Sequence, residues 1–292
     1  MPKLTFLSLR LLWRGVRYIA QHPVLCLYPL INTVIILTLA YLYIIPLHHQ
    51  EALILHSPNA AANAAHTLWV VLLLLAGLAL LANAMHLWTQ LAMTHYLERH
   101  FQQKPISIWQ SFPNTLRYLP SLWIAKVYHI GLYLRRAWSD EDDALAIACG
   151  TQQTFILTIF TYCAVLTGVN HPRQQLALIR ERLEHTWGKH LFFSSHAMWF
   201  IGCIEVLIVV IMVMQLNFQQ LFSTTNLHIV TVGIILIWFI RNIAGLHARL
   251  LRTALFYFAT HQVAPPPFTA PDLQQTLKPH PFHPKKQPKN QP

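Results

Sequence analysis

The stretch LWVVLLLLAGLALLANAMHLWTQLAM, residues 68–93, carries a single ionisable side chain, His86. As a helix it rises about 39 Å at ~1.5 Å per residue, more than a hydrocarbon core of ~30 Å requires. Similar stretches flank it. Residues 24–47 and 144–169 carry no charge, 191–216 holds Glu205 and His196, and 227–246 holds one formal charge, Arg241. A soluble core can bury one helix of this kind but not five. The whole composition agrees, with 54% apolar and 11% charged residues, against about 25% charged in ordinary soluble domains. The sequence therefore predicts an all-α membrane protein.

The number of spans turns on residues 118–134, which are apolar apart from Lys126 and His129. If this segment crosses, there are six transmembrane helices, at about 24–47, 68–93, 118–134, 144–169, 191–216 and 227–248. The basic residues then gather on one side: Lys3, Arg10, Arg14 and Arg17; Arg99, Lys104 and Arg117; Arg173, Arg180, Arg182 and Lys189; and those after Gly245. The opposite loops, 48–67 and 217–226, hold no Lys or Arg. If 118–134 does not cross, the 170–190 segment and the basic tail fall on the wrong side. The positive-inside rule selects six spans with both termini cytoplasmic. Arg135 and Arg136 then sit at the outer end, beside the neutralising run Asp140, Glu141, Asp142 and Asp143. A re-entrant hairpin at 118–134 is the alternative.

The net charge of +11 needs no nucleic acid to explain it, because the cations flank spans. The first 20 residues read as no cleavable signal, since Arg and apolar residues alternate throughout. They read instead as an amphipathic cytoplasmic helix over 3–20, with its cations toward anionic headgroups and an end at His22-Pro23. Residues 106–117 and 172–190 hold the same place before the later hairpins. Pro172 suits a helix start, and Leu176, Ile179, Leu183 and Trp187 recur at helical spacing. Trp13, Trp109 and Trp187 mark the three lead-ins. A last helix is predicted to run on to about His261 and to stop before Pro265-Pro266-Pro267. Residues 1–270 thus form one membrane domain. The tail 271–292, rich in Pro, His and Lys, reads as disordered, with His280 and His283 solvated rather than ligating a metal. Cys26, Cys149, Cys163 and Cys203 lie inside spans and read as small buried hydrophobes.

Three segments carry a family resemblance: LLWRGVRYIAQHPVLCLYPL (11–30), QQLALIRERLEHTWGKHL (174–191) and RTALFYFATHQVAPPPF (252–268). Together they resemble an uncharacterised family of bacterial and archaeal six-helix integral membrane proteins. Phe256-Tyr257-Phe258 departs from that family's Tyr-x-Tyr pattern. The resemblance implies the six-helix topology and supplies no activity.

Ionisable groups inside a bilayer are costly and prompt a functional question. Glu205 is the one acid deep in a span, and Lys126 and Arg241 lie nearer the cytoplasmic side. Asn83, His86 and Gln90 share a face of the second span. Asn83, His86, Lys126, Glu205 and Arg241 are therefore the candidate intramembrane polar site, with helix-to-helix hydrogen bonding as the plain alternative. No spacing suggests a catalytic centre, a metal or a cofactor. The reading is a non-enzymatic component of the bacterial cytoplasmic (inner) membrane that binds membrane lipids or a protein partner. The alternative is a transporter or channel with a polar path through the bundle.

Overall fold

The computed structural model describes residues 2–55, 60–137, 159–187, 191–193, 204, 206–211, 215 and 224–279. It is helical apart from one short two-stranded ladder. Most of the expected spans 144–169 and 191–216, with Glu205, lies outside the described residues.

Helix α1 (Pro2–Gln21) has the predicted two-faced pattern. Leu7, Leu11, Tyr18 and Ile19 are buried, while Arg10, Arg17 and Trp13 stay exposed. Its buried face lies on protein: Gly15 abuts the ring of His247, whose Nε2 lies 3.1 Å from the Leu11 carbonyl oxygen. A side chain at Gly15 would collide with that ring, so glycine permits the close approach. Pro23 cannot continue the hydrogen-bond ladder, and a 3₁₀ turn (Pro23–Cys26) leads into α2 (Leu27–Leu55). Helix α3 (Ala60–Phe101) returns alongside α2 and is about 63 Å long at ~1.5 Å per residue. It overruns the expected span and carries Met93, Leu97 and Phe101 into the core.

Gln103, at a left-handed φ of 56°, turns the chain toward α4 (Ile108–Leu116). There the Gln110 side chain accepts a hydrogen bond from the Ser107 amide at 3.2 Å, half of a capping box. Trp88 on α3 donates to the Phe112 carbonyl at 3.0 Å, and Tyr28 and Ser111 share a buried hydroxyl bond of 2.7 Å. Helix α5 (Leu119–Ala137) matches the doubtful segment 118–134 in extent. A short buried helix, α6 (Thr161–Leu166), ends at Gly168, whose φ of 86° only glycine adopts freely.

Pro172 then opens α7 (Pro172–Trp187), which buries Ile179, Leu183 and Trp187 as the spacing predicts. The recurring tryptophans are not equivalent. Trp13 and Trp109 are 68% and 72% exposed, whereas Trp187 is 6% exposed and donates to the Leu273 carbonyl at 3.2 Å. The last long helix, α8 (Thr224–His261), stops where predicted. Of the cysteines, Cys163 is buried as expected, but Cys26 is exposed; Cys149 and Cys203 lie outside the described residues.

Two expectations need correction. The segment from Pro271 is not disordered over 271–279. Helix α9 (Ala270–Thr276) buries Leu273 and Asp272, and β2 (Leu277–Pro279) pairs antiparallel with β1 (Leu191–Phe193). Asp272 binds Arg14 directly and lies 3.6 Å from Arg10, so the two ends of the chain meet. The same ladder shows that residues 191–193 are extended rather than the first turn of a span. Residues 280–292 lie outside the described residues.

The core occupies one end of the molecule. There α1, the last turns of α3, α6, α7, the second half of α8 and α9 bury Leu97, Phe160, Leu250, Leu255 and Phe258 completely or nearly so. The other lengths of α2, α3, α5 and α8 display apolar side chains outward, among them Leu37, Leu73, Ile130 and Phe239. Among the described residues no single helix is long and apolar enough to cross a membrane. One bent pair, Leu9–Gln21 with Pro23–Leu39 meeting at 95°, is so only when taken together.

Candidate functional site

The five polar residues singled out from sequence do not form one centre among the described residues. Asn83 and Arg241 are exposed on α3 and α8. Arg241 stands eight residues, about 12 Å of helix, before Arg249. Glu205 lies outside the described residues. Lys126 on α5 is half-buried, and His86 on α3, exposed like Asn83 and Arg241, lies near enough to Lys126 and Arg249 to feel their charge.

Lys126 and Arg249 come together around Tyr162 of α6. A small apolar cluster of Leu87, Leu91, Leu122 and Val165 clamps the ring, leaving Tyr162 6% exposed. The Lys126 ammonium lies 4.7 Å from the ring centroid, and the Arg249 guanidinium carbon lies 4.0 Å from it. Arg252 follows Arg249 at i+3, on the same side of α8. Arg249 is 8% exposed. Its Nε and Nη1, and the Nε of Arg252, are buried without a hydrogen-bond partner among the described residues. One turn beyond Lys126, His129 is buried with Nδ1 3.5 Å from the Thr161 hydroxyl and with Nε2 unpartnered among the described residues.

Cations in this setting call for an anion. Desolvation costs several kcal/mol per ion, and each unmade hydrogen bond costs ~1–3 kcal/mol. A desolvated cation–π contact returns only ~2 kcal/mol, so Tyr162 offsets part of the cost. The neighbouring carboxyl, Glu98 on α3, forms no ion pair with Arg249 or Arg252 among the described residues. Burial raises Glu98 above its ordinary value despite Arg99 beside it, so it is a poor counter-ion. Burial, with Arg249 alongside, lowers Arg252 to about 10, which still leaves it charged at neutral pH. The arrangement offers positive charge and free N–H donors. No three His, Cys, Asp or Glu side chains among the described residues are placed to hold a metal.

Arg249, Arg252 and Tyr162 were missed from sequence because arginines just beyond a span are what the positive-inside rule expects. The available signal was their i, i+3 spacing, which puts both on one face of a helix whose neighbours Leu250, Leu251, Ala254 and Leu255 are apolar. In comparisons with known proteins, no family model, no curated protein and no solved structure matches this chain.

Proposed function

We propose that the chain is a multi-pass protein of the bacterial cytoplasmic membrane, with six spans and both termini in the cytoplasm. In this reading it acts without catalysis, as a component that binds membrane lipid or a partner protein. The observation that supports it most is the division of the molecule into a packed end and bare apolar shafts. Leu37, Leu73, Ile130 and Val232, on α2, α3, α5 and α8, are each more than half exposed. Exposed apolar surface on that scale is unfavourable in water, at ~25 cal/mol per Å², and is satisfied by lipid tails. The packed end carries the cytoplasmic lead-in helices and the cations, on the side where the charge rule puts anionic headgroups.

Reporter fusions test the topology. A fusion after His261 is expected to report a cytoplasmic location and one at Pro58 an external location, with the protein retained in membranes washed with alkaline carbonate. The same signal from both fusions, or release by carbonate, overturns the reading.

A further inference from the structure

We infer that Arg249, Arg252 and Lys126, gathered around Tyr162, form a binding site for a phosphate group at the inner-leaflet headgroup level. The site draws its cations from α5 and α8, and α6 supplies the aromatic floor. Tyr162 faces the Arg249 guanidinium on one side, and Nε and Nη1, which lie on different edges of that group and have no partner among the described residues, are each free to donate to a phosphate oxygen. A guanidinium suits phosphate oxygens as a charged, multiple hydrogen-bond donor. Arg252 adds a third unused donor, its Nε, and Lys126 adds charge from α5. Glu98 does not fill the gap, and the acidic partner found elsewhere in the core, Asp272, is already bound to Arg14.

The depth fits a headgroup. In the proposed topology, which this inference rests on, Arg249 and Arg252 follow the last span directly. Tyr162 lies seven residues inside the cytoplasmic end of the fourth span, and Lys126 eight residues inside that of the third. A lysine stem lying along apolar surface covers part of such a distance. A lipid phosphodiester and a free phosphate present the same oxygens, so the experiment separates the two.

Full-length protein is reconstituted in phosphatidylcholine nanodiscs with and without phosphatidylglycerol, and thermal stability and lipid retained in native mass spectrometry are measured. Inorganic phosphate is titrated in a parallel arm. Phosphatidylglycerol is expected to stabilise and to be retained, and Arg249→Gln is expected to weaken that retention about tenfold or more. Stabilisation by inorganic phosphate alone also supports the site but identifies its ligand as a free anion. Arg249→Lys keeps the charge and loses the guanidinium, so it is expected to bind more weakly than the parent and more tightly than Arg249→Gln. Should Arg249→Gln not fold, Lys126→Gln carries the same test from α5. No response to either probe, or equal retention by parent and variants, overturns the inference. Release from membranes by carbonate overturns the membrane reading instead and leaves the phosphate arm still able to report on the site.

Discussion

Replacing Asp272 by alanine tests the join between the two ends of the chain. The carboxylate side chain is 4% exposed; it accepts a hydrogen bond from Arg14 and another from the Thr269 hydroxyl at 2.5 Å, and lies 3.6 Å from Arg10. Breaking a fully buried ion pair costs ~3–5 kcal/mol, because one charge is left stranded. Here the stranded groups have water within reach, since Arg14 is 31% and Arg10 60% exposed. The expected loss is therefore nearer the ~2 kcal/mol of hydrogen bonds to a charged group. For a chain of this size that corresponds to about 4–8 °C in Tm, readable from tryptophan fluorescence in detergent. Deleting residues 271–292 is expected to cost more, because burial of Leu273 and Leu277 is lost as well, at ~1.5–3 kcal/mol each. An Asp272→Ala protein that melts with the parent would show that the contact between α1 and α9 contributes nothing to the folded state.

Other substitutions probe the packed end. Gly15→Ala drives a methyl group into the His247 ring and is expected to lower stability by ~1–3 kcal/mol, measured as Tm, with relief in a Gly15→Ala/His247→Ala double variant. Leu250→Ala removes a side chain with no exposure and is expected to cost ~2–5 kcal/mol, read in the same assay. Ser111→Ala strands the buried Tyr28 hydroxyl at a cost of ~1–3 kcal/mol, and Tyr28→Phe in the same chain is expected to recover part of it. Glu98 gives a pH signature. Burial raises its folded value above the unfolded one, so it favours folding below the unfolded value and loses that contribution as pH rises through the folded value. Glu98→Gln is therefore expected to raise Tm at about pH 8 and to leave it unchanged at about pH 4, near the ordinary carboxyl range.

The helical framework was legible because apolar runs and breakers act locally. Pro172 opens α7 and the proline-rich segment after His261 follows the end of α8, as their backbone chemistry dictates. The C-terminal segment was misread because composition averages over a window. Among many prolines, lysines and histidines, Leu273 and Leu277 look too sparse to support order, yet both are fully buried against a core made elsewhere. Nothing local announces that surface. Arg249 and Arg252 were hidden by the opposite effect: a correct rule about flanking cations explained them well enough that their shared face drew no question. Of the polar residues proposed at the outset, Lys126 does join them at Tyr162, while Asn83 and Arg241 stand exposed.

The bond between Arg14 and Asp272 spans 258 positions in the chain, and its consequence is one of timing. Ribosomes extend a chain at ~5–20 residues per second, so Arg14 is made about 13–50 s before Asp272. Throughout that interval Arg10 and Arg14 have no Asp272 to bind, and for most of it the Gly15 face has no α8 to rest on. A two-faced helix with free cations has affinity for an anionic lipid surface, and in the topology proposed above such a surface lies beside it. Helix α1 thus closes its contact with Asp272 only after α9 has been made.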